Sequence, residues 1–430
     1  ADFESSTRSV LVGEVVSFTN RSTGDISAYR WDFGDGSTSS SYEPLHVYDQ
    51  PGRYTVTLAV GGAGGSDTIT KSDYITVYGM PASLTLTAAP ATLPAGDLST
   101  ITATVTDQDG NPVADGTVVS FTTSLGGVSP ISATTVNGVA TATLSSTVAG
   151  VATVTATVDS LSATAQVTFT PGAPADVVLS ANPTTLLVGS SSALTATVTD
   201  QYGNPVANGT VVSFTTNFGA LSGNSATTVN GAATVTLSST VAGVATVTAT
   251  VGSLNATRPV TFTPSAPANL SLVAAPSTLQ VGSLSALTAT VTDQFGNPVV
   301  NGTVVSFTTN LGSASPVTRV TTNGVATATL SSTVAGLATV TATVGSLSTT
   351  ALVTFTPGPP ANLALVAAPS TLQVGNLSAL TATATDQFGN PVADGTLVSF
   401  LTNLGVATPP AAATVNGVAT ATLSSTVAGL

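Results

Sequence analysis

The chain has 430 residues, of which 7 are basic and 20 acidic, so only 6% carry charge and the net charge at pH 7 is −13. Cysteine is absent, His46 is the single histidine and Lys71 is the single lysine, which excludes disulfides, zinc–thiolate sites and histidine-rich metal clusters. No basic stripe is present for nucleic acid, no apolar run is long enough for a membrane helix, and the length predicts several domains.

Residues 1–79 differ in composition from the rest of the chain. They hold half of the acidic residues and the only tryptophan, histidine and lysine. Trp31 occupies a position typical of a core strand. The triplet Asp32-Phe33-Gly34 matches a kinase metal motif only by coincidence, because no other kinase motif accompanies it. The glycine-rich stretch 61–65 lacks the lysine and the helix of a phosphate loop, so we expect a hairpin tip there.

Two strings in this segment are specific. WDFGDG occupies 31–36 and HVYDQPGRYTVTL occupies 46–58. With the residues around them, from Val12 to Val77, they resemble a PKD (polycystic kidney disease) domain. The resemblance implies that residues 1–79 form a PKD-like β-sandwich.

Asp32 and Asp35 are the candidate site residues of this segment. Two carboxylates in a tight turn, together with nearby carbonyl oxygens, offer the ligands that Ca²⁺ prefers. The alternative is a role in stabilising the turn, with Gly34 and Gly36 supplying unusual φ values, and we favour it. Calcium is the only cofactor that the sequence suggests. His46 has only Asp49 nearby in sequence and no partner set for a catalytic triad, so we interpret it as a packed or surface histidine.

A repeat of 93 residues organises the chain beyond Pro81. Asp107-Gln108 returns as Asp200-Gln201, Asp293-Gln294 and Asp386-Gln387, and the string SSTVAG returns at the same interval. The predicted units are 80–173, 174–266, 267–359 and 360–430. The last unit lacks counterparts of residues 338–356, which predicts missing strands and an exposed core. Either the chain is a segment of a longer polypeptide, which we favour, or another chain donates the strands.

Within each unit, apolar residues alternate with threonine. Leu194, Ala196 and Val198 are predicted to face a core while the threonines between them face outward. Asn-Gly pairs such as Asn230-Gly231 predict hairpin turns, because both positions tolerate positive φ. Six or seven short strands per unit predict an all-β fold of tandem immunoglobulin-like β-sandwiches. The short, proline-bearing junctions between units predict an elongated rod.

The run LTATVTDQYGNPVANGTVVSFTT, which begins at Leu194, and the run TTVNGAATVTLSSTVAGVATVTATV, which begins at Thr227, carry a second resemblance. They resemble the bacterial Ig-like domains of invasin- and intimin-type adhesins, and every unit shares the pattern. Both resemblances imply extracellular modules that are mostly non-catalytic and serve as spacers, adhesive units or shape-giving segments.

Residues 107–111, Asp-Gln-Asp-Gly-Asn, imitate a calcium loop. At the position of Asp109, however, the later units carry Tyr202, Phe295 and Phe388, which cannot bind a metal. The loop is therefore predicted to be a turn. Positions 115, 208, 301 and 394 alternate between Asp and Asn, which again favours turn geometry over charge.

We therefore expect a non-enzymatic structural protein, an extracellular rod that forms or decorates a cell-surface filament, sheath or adhesin stalk. Its expected partners are neighbouring copies of the same chain, because the threonine faces carry almost no charge, and a host or surface glycan or protein. The alternative is a non-catalytic spacer or binding module of a larger secreted hydrolase. That alternative needs an exposed aromatic platform, for which Tyr29, Tyr42 and Tyr48 are the candidates.

Overall fold

The computed structural model describes residues 1–430 and consists of strands, turns and loops. The chain forms no helix with the length and apolarity that crossing a membrane requires. Every sheet lies within one of the five predicted units, and the predicted boundaries fall in the connections between the sheets. The exact boundaries stay a prediction.

Residues 1–79 form two sheets from eight strands. The strands are β1 (Phe3–Ser5), β2 (Ser9–Leu11), β3 (Val15–Asn20), β4 (Ile26–Asp32), β5 (Thr38–Ser39), β6 (Leu45–Val47), β7 (Gly52–Gly62) and β8 (Gly65–Tyr78). One sheet has the order β1-β3-β6 and the other β2-β8-β7-β4-β5. Trp31 is fully buried, as predicted, in an aromatic core with Phe3, Phe18 and Phe33. The glycine-rich stretch forms the tip of the β7–β8 hairpin, which confirms that prediction.

Each of the three complete repeats contains nine strands. The first has β9 (Ser83–Ala89), β10 (Thr92–Pro94), β11 (Leu98–Thr106), β12 (Val118–Thr123), β13 (Gly127–Ser129), β14 (Ser132–Thr134), β15 (Val139–Ser145), β16 (Gly150–Val158) and β17 (Leu161–Thr170). The second has β18 (Asp176–Asn182), β19 (Thr185–Leu187), β20 (Ser191–Thr199), β21 (Val211–Thr216), β22 (Ala220–Leu221), β23 (Ser225–Thr227), β24 (Ala232–Ser238), β25 (Gly243–Val251) and β26 (Leu254–Thr263). The third has β27 (Asn269–Ala275), β28 (Thr278–Gln280), β29 (Leu284–Thr292), β30 (Val304–Thr309), β31 (Ser313–Ser315), β32 (Thr318–Val320), β33 (Val325–Ser331), β34 (Gly336–Val344) and β35 (Leu347–Thr356).

In each complete repeat a four-stranded sheet faces a five-stranded one. In the first repeat their orders are β13-β15-β11-β9 and β10-β17-β16-β12-β14. The prediction of six or seven strands was too low, because it missed pieces of two or three residues such as β10. That short strand pairs in parallel with β17, whereas the main ladders are antiparallel, as predicted.

The predicted alternation is confirmed in the core. Leu194, Ala196 and Val198 are fully buried between the two sheets of the second repeat. Phe214 and Phe262 reach the same core from the five-stranded sheet. Fully burying one such side chain stabilises a fold by about 1.5–3 kcal/mol, so the interleaved aliphatic and aromatic residues hold the two sheets together.

The predicted Asn-Gly turns are also confirmed. Asn230 and Gly231 have φ values of +50° and +76°. The Oδ1 atom of Asn208 accepts the Asn230 N–H at 2.7 Å, and Asp115 plays the same part for Asn137 at 2.6 Å. Asp and Asn are interchangeable here because the turn requires only an acceptor oxygen.

Residues 360–430 contain six strands, β36 (Asn362–Ala368), β37 (Leu377–Thr385), β38 (Leu397–Ser399), β39 (Val406–Thr408), β40 (Ala411–Ala413) and β41 (Val418–Ser424). The order β36-β37-β41-β39 repeats the four-stranded sheet of the other units, but the facing sheet has only β38 and β40. Leu365 is 60% exposed, whereas its counterpart Leu272 is half-buried against a complete core.

Candidate functional site

The turn that carries Asp32 and Asp35 is held by its own carboxylates. Oδ1 of Asp32 accepts the Gly34 N–H at 2.9 Å, and Oδ1 of Asp35 accepts the Ser37 N–H at 2.8 Å. Gly34 and Gly36 have φ values of +85° and +90°. No group of three or more His, Asp or Glu side chains is placed to hold a metal ion anywhere in the chain. The contacts support the turn role, and calcium at Asp32 and Asp35 stays a prediction.

His46 has a partner that the sequence interpretation missed. Its Nε2 lies 2.7 Å from Oδ2 of Asp35, and its ring stacks on Phe33 with centroids 4.1 Å apart. Burial opposes ionisation of Asp35, but the bonds from the Ser37 N–H and His46 outweigh it, so the pKa of Asp35 lies below its usual value. Asp49, the sequence neighbour, is not the partner, because the loop between β4 and β5 brings Asp35 across to β6.

The predicted aromatic platform is reduced to a pair. Tyr48 was wrongly placed among the exposed aromatics, since it is fully buried and its hydroxyl donates to the Phe33 carbonyl at 3.2 Å. Tyr29 is half-buried and meets Tyr42, which is 57% exposed, at a centroid distance of 5.4 Å. One edge-to-face pair is therefore the only part of that platform that remains.

The Asp-Gln-aromatic-Gly-Asn loop of each later repeat is built around one carboxylate. In the second repeat, Oδ1 of Asp200 accepts the N–H groups of Tyr202 and Asn204, each at 2.9 Å. The Asn204 side-chain amide donates to Oδ2 of Asp200 at 2.9 Å. These bonds make the predicted turn and leave both side chains buried, with Asp200 3% and Asn204 8% exposed.

The same asparagine joins this repeat to the preceding one. Its Oδ1 accepts the Ala149 N–H at 3.0 Å, and its Nδ2 donates to the Thr147 carbonyl at 2.9 Å. From the connection between the repeats, the Gly172 N–H donates to Oδ2 of Asp200 at 2.9 Å. An amide that both accepts from and donates to one backbone segment fixes the orientation of that segment as well as its distance.

We call this arrangement the clasp, and it occurs at all three repeat junctions. The clasp amides, Asn297 and Asn390 in the later repeats, accept from Ala242 at 2.8 Å and Ala335 at 3.0 Å. They donate to the carbonyls of Thr240 at 2.8 Å and Thr333 at 2.9 Å. The clasp carboxylates are Asp200, Asp293 and Asp386.

The clasp carboxylates are more acidic than ordinary aspartates. Burial opposes their ionisation, but the clasp amide and several backbone N–H groups, including one from the connection between repeats, outweigh it and hold the pKa of each below its usual value. The clasp was missed from sequence because nothing in a single repeat shows which residues face its neighbour.

Family models match most of the chain in segments. Residues 4–77 match the PKD domain, residues 82–170 and 189–263 match the bacterial Ig-like domain (group 1), and residues 266–358 match invasin domain 3. These matches confirm both resemblances derived from the sequence.

Similar curated proteins include two collagenases. A stretch of 61 residues is 39% identical to collagenase ColA of Bacillus cereus and covers 13% of this chain and 6% of that protein. A stretch of 58 residues is 41% identical to the microbial collagenase of Vibrio alginolyticus and covers 13% of this chain and 7% of that protein. The chain thus spans only a small part of either relative.

Similar solved structures include two bacterial surface proteins. Invasin, described as a bacterial integrin-binding protein, has a TM-score of 0.44 and 23% identity over 74% of this chain and 82% of invasin. The Escherichia coli adhesin FdeC has a TM-score of 0.41 and 22% identity over 65% of this chain and 99% of FdeC. At such scores these likenesses carry no argument about function.

Proposed function

We propose that this chain, a PKD domain followed by tandem bacterial Ig-like domains, is an extracellular structural rod without catalytic activity. It forms or decorates a cell-surface filament, sheath or adhesin stalk. The observation that carries the proposal is the clasp, which recurs at three successive junctions with the same partners. Side-chain bonds that fix both distance and orientation favour a continuous rod over beads on a flexible string.

The surface of the repeats supports association with neighbouring copies. Val118, Val211 and Val304, which are equivalent in the three complete repeats, are 57%, 58% and 53% exposed. Apolar residues therefore recur at one position per unit along the rod, on a chain in which only 6% of residues are charged. Soluble surfaces usually carry about 25–35% charged residues, which oppose association. Repeated weak contacts of this kind add up through multivalency.

The second candidate is a spacer or binding module of a larger secreted hydrolase. The short matches to collagenases and the Tyr29–Tyr42 pair favour it. Exposed aromatic rings offer large contact area at small entropic cost, which suits binding to a polymer.

Electron microscopy of the purified chain at physiological salt tests the first proposal. Straight particles of about 150–180 Å are expected from five sandwiches placed end to end, since ten strand residues span about 33 Å. Lateral arrays of such particles at a fixed spacing would support an assembly role, whereas compact or randomly bent particles would refute the rod.

Pull-down on insoluble collagen and polysaccharide tests the second candidate. Retention that is lost in Tyr42→Ala would support it. Leu45→Ala is the matched control, since Leu45 is an exposed apolar residue of the same domain. Retention that neither or both substitutions change would contradict a role for the aromatic pair.

A further inference from the structure

At each repeat junction an aromatic ring of the clasp loop lies against a glycine of the preceding repeat. Phe295 packs on Gly189 and Phe388 on Gly282, where an added Cβ would lie 2.9 and 3.0 Å from the Cζ atom of the ring. Tyr202 approaches Gly96 in the same manner. The ring occupies the space that any other residue at the glycine would need for its side chain.

The surface that receives the ring is a turn tied to the backbone segment that the clasp binds. In the second repeat the Gly189 N–H donates to the Ser239 carbonyl at 2.8 Å. The Ser239 hydroxyl donates to the Val241 carbonyl at 2.8 Å and accepts the Val241 N–H at 3.0 Å. We call this unit, Gly189 with residues 239–242 and its equivalents, the socket.

The socket has the same shape without a ring against it. In the unit 360–430 the Gly375 N–H donates to Ser425 at 2.9 Å, and nothing lies within 4 Å of the place where a Cβ would be. Gly375 has a φ of +84°, against +83° at Gly189. A partner surface that needs no rearrangement binds at lower conformational cost.

The junction between residues 1–79 and the first repeat has no plug-like ring and only part of a socket. The Gly13 N–H, at a φ of +85°, donates to the Tyr48 carbonyl at 3.0 Å, but Tyr48 stands where the repeats have the serine whose hydroxyl closes the socket. Asp109 stands where the later loops carry an aromatic ring, and the exposed Asn111 side chain bonds only to Asp107, at 3.4 Å. No hydrogen bond or ion pair joins residues 1–79 to the rest of the chain. A cleft of about 250 Å³ lies between the two units and is lined by residues of both, among them Arg53 and Asp115.

We propose that the Asp-Gln-aromatic-Gly-Asn loop is a plug whose partner is the socket of a preceding bacterial Ig-like repeat, and that its aromatic residue specifies this partner. The junction after residue 79, which has no plug and no serine loop in the socket position, is the compliant joint of the chain. The PKD domain therefore swivels on a stiff array of repeats. The role of this joint in a surface rod rests on the proposed function. The docking of each plug into the socket of the preceding repeat does not depend on that function.

Spin labels placed across two junctions test the plug, and the absence of cysteine makes the labelling specific. One double variant, Ala193→Cys with Ala286→Cys, spans the junction between the second and third repeats at equivalent exposed positions. The other, Arg30→Cys with Thr100→Cys, spans the junction after residue 79, again at exposed positions. Pulsed electron–electron double resonance should give a narrow distance distribution for the first pair of labels and a broad one for the second.

Phe295→Asp gives the third repeat the loop residue of the first. In this variant the 193–286 distribution should lose its narrow peak. Phe388→Asp, at the next junction, is the matched control and should leave that peak unchanged. Phe295 is 41% exposed and lies outside the core cluster of its repeat, so the fold is expected to survive, as circular dichroism would verify.

Equal widths at the two native junctions, or a narrow peak that persists in Phe295→Asp, would overturn the proposal. If either of these results were found while electron microscopy still showed straight particles, the plug proposal would be refuted and the rod proposal would stand. Compact particles would refute the rod itself.

Discussion

Removal of one clasp amide should open a single junction. Asn297→Ala deletes the bond from the Ala242 N–H at 2.8 Å, the bond to the Thr240 carbonyl at 2.8 Å, and the bond to the Asp293 carboxylate at 3.0 Å. Only the first two bonds cross the junction, and a net hydrogen bond contributes about 1 kcal/mol, so docking should weaken by about 2 kcal/mol. Because 1.4 kcal/mol is a factor of ten, the open junction should become roughly thirtyfold more populated.

Hydrogen exchange at the Ala242 amide reads this opening directly, since its hydrogen bond crosses the junction. Exchange should accelerate by roughly thirtyfold in the variant. The Ala149 and Ala335 amides, which Asn204 and Asn390 hold in the same molecule, should keep their rates. The Val241 amide, bonded within its own loop, is a further control. An unchanged rate at Ala242, or equal acceleration at all three alanines, would refute the reasoning.

Three further predictions concern pH and the two kinds of domain. The pKa of each clasp carboxylate is lower in the folded chain than in the unfolded one. The stability that these carboxylates contribute is therefore present above the ordinary pKa of about 3.9 and is lost as the pH falls through the lower folded value. X-ray scattering should show bending of the chain only below about pH 4. Phe307→Ala, at a side chain 1% exposed, should cost its repeat about 3–5 kcal/mol and expose it to protease at lower urea, whereas Phe295→Ala should cost far less; equal effects would contradict the core assignment. Asp35→Asn should lower the free energy of unfolding of residues 1–79, measured by Trp31 fluorescence in urea, by less than about 1 kcal/mol because the His46 pair is partly exposed, while the exposed Asp25→Asn should change nothing. The same signal tests calcium, because Ca²⁺ bound at Asp32 and Asp35 would raise the midpoint of the unaltered protein and not that of Asp35→Asn.

The parts of the fold that depend on local pattern were predictable from the sequence. Alternation placed Leu194, Ala196 and Val198 in the core because the side-chain period of a strand is two. The Asn230-Gly231 turn followed from the positive φ that both residues tolerate. The strand count was too low because pieces of two or three residues leave no periodic signal.

The contacts that depend on tertiary placement were not predictable in the same way. Asp35 reaches His46 only because two short strands bring their loops together, and Tyr48 is buried because its ring turns into an aromatic core. The contrast of Asp109 with Phe295 favours a turn over a metal loop. The position of the loops carried a second indication. The loop with Asp109 follows the PKD domain, whereas the loops with an aromatic residue each follow another repeat.

Small-angle X-ray scattering of the purified chain at neutral pH tests the rod most directly. An extended chain of about 150–180 Å should give a radius of gyration of about 45–50 Å and a pair-distance distribution with a long tail. A compact chain of this length would instead have a radius of gyration of about 22 Å. A value near the compact limit, or a distribution without the long tail, would contradict the rod.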